Sequence, residues 1–502
     1  MKQTDDLKLH TMYGFLLIVV LLVSGCQMAN PPRLATATAQ AAQIPTPTPE
    51  KLILTIDQET AVAETDNPTI VQEAPNPTIS VWVNETSTEH KTALAQMADE
   101  FTSLAQVDVE IMFVPPLLMP DLVNTAVLSG TLPDIIIHPL EYTSGWVENG
   151  ILNPTAADTA VTQIGASTFD PAALELMTID GQIAAIPSDG YYQLLIYRTD
   201  WFEEANLAIP DNYTAMFAAA ETTTDRDNQR AGFVIPTEAN LFSTYQTFEQ
   251  IALANDCQLI DEKGEVLLLE PACVEALDFY YTIVNQFSPI GVQTNTSTDN
   301  AYLAGRTGLI MTSPSILPQL ANNNLAENSG ILTEIRGQNR TTVPSSFGHI
   351  TNVGITTEAD IDTAVTFANY WFNEGYEKWL AVSSERKVPM RLGTVEEPQR
   401  FIEAWGTTPL STGENLTAVY GEETISQLRD GIAQSSRWGI TQGQGSLITD
   451  LYDGQTLSIT LQEMLSGYFN PEQTIIEAYN RVTDLIPNYQ YHRDEVETEQ
   501  NE

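Results

Sequence analysis

Ile79-Ser80-Val81-Trp82-Val83 opens the run of elements that decides the fold, a β-branched stretch ending in the polar Asn84-Glu85-Thr86. Leu94, Met97, Phe101 and Leu104 follow at the spacing of a buried helical stripe. Val107, Val109, Ile111 and Phe113 then alternate with Asp108, Glu110 and Met112, the pattern of a half-buried strand. A second helical stretch, over 119–128, stops at Ser129-Gly130. Ile135-Ile136-Ile137 is an unbroken apolar run suited to an interior parallel strand. Strand, helix, strand, helix, strand is the beginning of a doubly wound α/β domain. Such sheets receive ligands beyond the carboxyl ends of their strands. Asn84-Glu85-Thr86 and His138-Pro139 are therefore expected where a ligand would be met.

Downstream, Asp180-Gly181-Gln182-Ile183 leads through Ser188–Tyr192 to Leu194-Leu195-Ile196-Tyr197. The second half reads as mostly helical, punctuated by Pro210, Pro271 and Pro289. Its apolar stripes include Val274, Leu277, Tyr281 and Val284, then Ala364, Phe367, Trp371 and Phe372. At 502 residues the chain is too long for one core, so two domains are expected. Acidic residues number 66 against 21 basic, a net charge of -45 that repels a phosphate backbone and excludes nucleic acid as a partner. An acidic surface of this kind serves solubility before it serves a cationic substrate.

The chain begins with Lys2 and Lys8, an apolar run from Met12 to Val23, and then Val23-Ser24-Gly25-Cys26. Charge, apolar stretch and small residues form the pattern of a cleaved export signal over 1–25. The apolar run is about a dozen residues, short of the ~20 that span a hydrocarbon core. The last four residues resemble a bacterial lipobox, which makes Cys26 the expected lipidation site and acylated N-terminus. An uncleaved membrane anchor is the alternative. Residues 26–77, with Ile44-Pro45-Thr46-Pro47-Thr48-Pro49, are too poor in apolar surface to fold and read as a tether.

Cys257 and Cys273 then remain, in an exported chain where thiols can oxidise. Between them two apolar runs flank a polar turn at Gly264, a hairpin pattern that brings its ends together. A disulfide fits that geometry, and two buried free thiols are the alternative. No CxxC pair exists and the histidines are scattered, so no metal site and no cofactor are expected.

Several fragments, in order, resemble the extracellular solute-binding proteins of ABC importers, in their maltose-binding-protein-like, sugar-binding class. Ser129-Gly130-Thr131-Leu132-Pro133-Asp134-Ile135 is similar to the segment before that family's third strand. Asp180-Gly181-Gln182-Ile183 through Pro187, with Leu195-Ile196-Tyr197-Arg198-Thr199-Asp200-Trp201-Phe202, is similar to the family's next conserved-looking stretch, although Arg198-Thr199 stands where Asn-Lys is usual. Ala205–Pro210, Ala304–Met311 and Arg386–Arg391 are similar to its later turns and strand. The resemblance spans about 79–491.

It implies a periplasmic-binding-protein-like fold, two doubly wound α/β lobes joined by hinge strands in a Venus-flytrap arrangement. Lobe one is expected at 78–187 and 352–398, lobe two at 188–351 and 399–490, with an acidic tail at 491–502. It also implies a monomeric, lipid-anchored receptor on the outer face of the cytoplasmic membrane, which passes a sugar or oligosaccharide to permease subunits. Few Lys or Arg residues are available for a phosphate ester, which favours a neutral carbohydrate.

Sugar sites pair aromatic faces with polar side chains that bond hydroxyls. Trp82, Asn84, Glu85 and His138 stand at strand ends, while Ser188, Asp189, Tyr191 and Tyr192 stand at the expected first crossing between lobes. Tyr245 and Gln246, Ser313 after a strand, and Arg391 in a late turn complete the candidate ligand contacts. Each has a bland alternative in core packing or turn chemistry. His138 and His349, near strand ends, are as lone histidines more often structural than ligating. The sequence holds no GxSxG elbow, HExxH, P-loop or dinucleotide fingerprint, so it reads as a binder rather than an enzyme. A carboxylate-pair glycosidase, or a sensor on the same fold, is the alternative.

Overall fold

The structure is a computed structural model that describes residues 76–338, 344–410, 413–487 and 489. The expected leader, Cys26, residues 26–75 of the tether and the acidic tail lie outside the described residues.

The strand Thr78–Val83 buries Ile79, Val81 and Val83 on one face. Ser87 then caps the helix Thr88–Ala105 by accepting from the His90 amide at 3.2 Å, satisfying one of the free N–H groups of the first turn. Leu94, Met97 and Phe101 of the expected stripe are buried, but Leu104 is 69% exposed. A period of 3.6 residues carries the stripe on to Ala105, which packs against the core in its place. Asp108–Phe113 pairs in parallel with Thr78–Val83 and forms the sheet edge, which leaves its inward residues half-buried. Ile135–Pro139 is buried throughout. It runs parallel to Thr78–Val83 on one side and antiparallel to Gly348–Ile355 on the other, so the interior strand is parallel on one flank only. Asp134 fixes the register of this start: its carboxylate accepts from the Ser80 amide at 2.8 Å and the Ser80 hydroxyl at 2.7 Å.

Among the described residues two main sheets result. The first has six strands in the order Val388–Pro389, Ile186–Tyr192, Gly348–Ile355, Ile135–Pro139, Thr78–Val83 and Asp108–Phe113. The second has four, Ser329–Leu332, Leu194–Arg198, Thr307–Thr312 and Ala231–Val234. The chain passes to the second sheet at Gln193 and back at Phe347, rather than at the expected 187/188 and 351/352. Ser188 and Asp189 read as loop residues because they are polar. They are strand residues, 0% and 2% exposed, because Ile186–Tyr192 pairs with Gly348–Ile355, Asp189 opposite Thr351 and Ser188 passed over at a bulge before Pro187 pairs with Asn352.

The segment after 399 also departs from the expected assignment to one lobe. Trp405, Leu416, Ile425, Leu428 and Ile432 share a core cluster with Tyr192, Ile350 and Val388 of the first sheet and Leu194, Val234 and Ile310 of the second. Of the helical stripes, Ala364, Phe367, Trp371 and Phe372 are all buried. In Pro271–Phe287 the buried ridge is Cys273, Leu277, Tyr280 and Val284, with Val274 and Tyr281 half-buried at its margin.

Cys257 and Cys273 are bonded as a disulfide with Cα atoms 4.6 Å apart. The segment between them folds back through a single bridge, Ile260 to Val266, with Gly264 at φ +83° in the turn. Closing a loop of this length contributes ~3 kcal/mol in the chain-entropy model. The double variant C257A/C273A is therefore expected to lose about that much stability in denaturant unfolding, and an unchanged midpoint would contradict a pairing in solution.

Candidate ligand-binding cavity

Two pairs of parallel strands, one in each sheet, deliver their carboxyl ends to one place. Thr78–Val83 and Ile135–Pro139 of the first sheet end in Asn84-Glu85 and Pro139. Ala231–Val234 and Thr307–Thr312 of the second end toward Pro236 and in Thr312-Ser313. All of these residues line a cavity of about 400 Å³, the position that a parallel sheet reserves for ligands. The crossing strands form its back wall. Side chains alternate along a strand, so Asp189, Tyr191 and Gln193 share one face, as do His349 and Thr351 opposite them. Tyr191 and His349 are directly paired, and their rings stack with centroids 4.8 Å apart. Phe242, Ser243 and Gln246, on one side of the helix Phe242–Ala254, close the cavity from the second sheet's side. A wider depression of about 810 Å³ beside Glu148, Glu175 and Asp180 has no aromatic ring among its described lining residues.

The charged residues of the cavity are matched in sign. Arg386 Nη2 lies 3.3 Å from Glu85 Oε1. Lys387 is 2% exposed, donates to the Trp379 carbonyl at 3.0 Å, and sits 3.2 Å from the centre of the Trp379 ring. Its Nζ also lies 3.0 Å from His90 Nε2. Burial pulls the Lys387 ammonium down to about 7, against the opposing pull of Asp189 and Glu85. Burial likewise holds His90 down at about 4, and the nearby Lys387 charge adds to it. A neutral His90 accepts at Nε2 from Lys387, which assigns its proton to Nδ1, 2.7 Å from Ser87 Oγ. Burial pushes the Asp189 carboxyl up, partly offset by Lys387 and by hydrogen bonds from Ser188 Oγ at 2.7 Å and Trp379 Nε1 at 2.6 Å. His349, desolvated in the wall, falls to about 4 and is neutral.

Of the residues singled out in the sequence, Asn84, Glu85, Asp189, Tyr191, Gln246 and Ser313 line this cavity. The other six do not. Trp82 alternates away from Val81 and Val83 and packs against the large core cluster. His138 is fully buried, with Nδ1 3.0 Å from the Pro139 carbonyl and its ring beside Trp146. Ser188 and Tyr192 flank Asp189 and Tyr191 on the opposite strand face, where the Tyr192 hydroxyl donates to the Asp430 carbonyl at 2.6 Å. Tyr245 is buried against Tyr452 and Trp438. Arg391 is 2% exposed and donates to the Phe372 carbonyl at 2.5 Å and to Thr168 Oγ1 at 3.2 Å, a structural post.

The sequence reading missed Trp379, Arg386, Lys387, Tyr142, Phe242 and Gln193 as cavity residues. Arg386-Lys387 opens the fragment already matched as a late turn, so that signal was present. Trp379 sits on a short helix, and nothing in its neighbourhood marks it as facing a cavity.

A family profile described as "Bacterial extracellular solute-binding protein" matches residues 96–407. A protein of Escherichia coli (strain K12) named "Putative ABC transporter periplasmic-binding protein YcjN" is 23% identical over 358 residues, which is 67% of this chain and 82% of that one. A sugar transporter from Arthrobacter chlorophenolicus A6, solved with laminaribiose, superposes with a TM-score of 0.68 at 15% identity, covering 82% of this chain and 100% of that one. An ABC transporter solute-binding protein from Agrobacterium radiobacter K84, solved with ribitol, gives 0.66 at 16% identity, covering 82% and 99%. At these identities the structural likeness shows a shared fold.

Lys387 makes stability depend on pH. Its ammonium titrates near 7 when folded and at 10.5 when unfolded, so between those values the unfolded chain holds the extra proton. Stability therefore rises with pH across that window, and the cost of the buried charge is fully present below it. Lys387→Met has no proton to lose and is expected to flatten the rise. Denaturant midpoints from pH 7 to 9 for parent and variant check this, and equal slopes would contradict it.

Proposed function

We propose that this chain, which belongs to the bacterial extracellular solute-binding proteins, captures a neutral carbohydrate or polyol in the strand-end cavity and delivers it to an ABC permease. Proteins of this family bind and hand over a solute, so the cargo leaves as it arrived. The observation that carries the carbohydrate reading is the lining itself. Tyr191 and Phe242, the half-buried rings of the lining, offer apolar ring surface to C–H rich groups, backed by the buried Tyr142 and Trp379, while Asn84, Gln246, Asn295 and Ser313 offer uncharged polar groups for hydroxyls. Glu85 is paired with Arg386, and Asp189 is offset by Lys387, so among the described lining residues no lone charge faces an ionic cargo. The ribitol and laminaribiose in the related folds support the same class.

Thermal unfolding against mono- and oligosaccharides, polyols, amino acids and polyamines tests the reading. A ligand at 100 times its Kd adds ~2.7 kcal/mol and raises the midpoint by a few degrees. A shift with one sugar or polyol class, and no product by chromatography, is the expected result. A shift with polyamines or amino acids alone, or a sugar cleaved on binding, would overturn it. Tyr191→Ala removes one ring face and is expected to weaken binding about tenfold, a loss of ~1.4 kcal/mol.

The receptor acts as a monomer held on the outer face of the cytoplasmic membrane by lipid on Cys26, after removal of 1–25. Support comes from the residues that resemble a lipobox and from the tether composition of 26–77. One acyl chain binds membranes only reversibly, so stable anchoring takes more than one. Cys26→Ser is expected to move the protein from the membrane fraction to the soluble one. Its retention in the membrane fraction would favour an uncleaved anchor.

A further inference from the structure

The chain crosses between the sheets at two adjacent points, and a single late segment holds both. At the first, the Tyr192 hydroxyl donates to the Asp430 carbonyl at 2.6 Å. The next amide, of Gln193, donates to the Phe347 carbonyl at 3.0 Å and ties the two crossings together. At the second, the Arg437 guanidinium lies 4.0 Å from the centre of the Phe347 ring and donates through Nη1 to the Gly348 carbonyl at 3.0 Å. Ser346 Oγ and Ser435 Oγ are 2.9 Å apart. A Cβ on Gly348 would stand 2.3 Å from the Ile432 carbonyl, so this position admits only glycine while the segment lies against it.

Arg437 is gripped in turn from both sides. Nη2 donates at 2.6 Å to Glu141, just beyond the Ile135–Pro139 strand of the first sheet. Nε donates at 3.3 Å to Glu249, on the helix Phe242–Ala254 that walls the cavity from the second sheet's side. Glu249 also accepts from the Trp438 amide at 2.8 Å. All three charged side chains are buried to within 1%, and none lines the cavity. A buried ion group is weak support for stability, because desolvation offsets the attraction. What a planar guanidinium with two carboxylates does supply is a fixed angle between the elements that carry them.

We infer that Asp430–Trp438 is a clamp on the crossing strands, and that Arg437 is a positioning residue that sets the angle between the two cavity walls without touching the ligand. The inference rests on reading the chain as a receptor whose walls move by a hinge. Loosening the clamp lowers the fraction of molecules with both walls in place, and the observed Kd rises in inverse proportion to that fraction.

The test needs no ligand, so it stands or falls apart from the identity of the cargo. Nitroxides at Glu110→Cys, on the edge strand of the first sheet, and at Glu221→Cys, on a helix packed against the second, report the interwall distance by double electron–electron resonance. The full chain is used in a Cys26→Ser background, with the remaining two cysteines bonded to each other. Tyr192→Phe deletes one clamp hydrogen bond, and Arg437→Lys keeps the charge but loses the fork. Tyr420→Phe is the control: its hydroxyl donates at 2.7 Å in the same core to the carbonyl of Leu317, a residue of neither crossing strand. Tyr192→Phe is expected to raise the population displaced from the parent distance about fivefold, the factor for one net hydrogen bond. Arg437→Lys is expected to raise it further, and Tyr420→Phe to leave it unchanged. If Arg437→Lys does not fold, Tyr192→Phe against Tyr420→Phe decides. Unchanged distances in Tyr192→Phe, or equal broadening in Tyr420→Phe, would overturn the inference.

Discussion

The antiparallel pairing of Ile186–Tyr192 with Gly348–Ile355 is the constraint on which the rest depends. A strand shows alternate residues to opposite faces, and here each face has a separate task. One face carries Asp189, Tyr191, His349 and Thr351 into the cavity. The other carries Tyr192 and Gly348 toward the late segment behind the sheets. A slip of one residue would exchange the two sets, sending Tyr191 into the core and Tyr192 into the cavity. The bulge at Ser188, between the Thr351–Asp189 and Asn352–Pro187 pairs, shifts the register by one, so the exchange of faces is confined to Pro187 and Ile186 and leaves the cavity residues in place.

The charge of the chain and the charge of the cavity are separate matters. A net charge of -45 describes the surface, whereas the cavity sets Glu85 against Arg386 and Asp189 near Lys387. Lys387 is held by His90 and by the face of Trp379, and its desolvation keeps a proton loosely bound. Such a lining favours hydroxyl recognition over the capture of an ion, because any ionic cargo would have to outcompete a partner already in place.

Much of the fold was legible because its cues are local. The stripe Leu94, Met97, Phe101 and the apolar Ile135–Ile137 each announce their element, and the polar Asn84 and Glu85 after the first strand line the cavity. Leu104 was misplaced because a helical stripe drifts, and Ala105 takes the core position. The crossing strand was misread because Ser188 and Asp189 are polar yet buried, satisfied by each other and by Trp379. In the cavity, residues on strand ends were legible, whereas Trp379 and Phe242 arrive on helices distant in sequence. The division between Tyr191 and Tyr192 follows only from register, which is set by a strand more than 150 positions later.

The central claim, a neutral carbohydrate held between both walls, is tested most directly by native mass spectrometry of the protein drawn from its own cell envelope. The account predicts a co-purifying mass of an uncharged polyhydroxyl compound on the parent protein whose occupancy is lower on Tyr191→Ala. A charged or amino-acid ligand, or a carbohydrate retained fully by Tyr191→Ala, would contradict it.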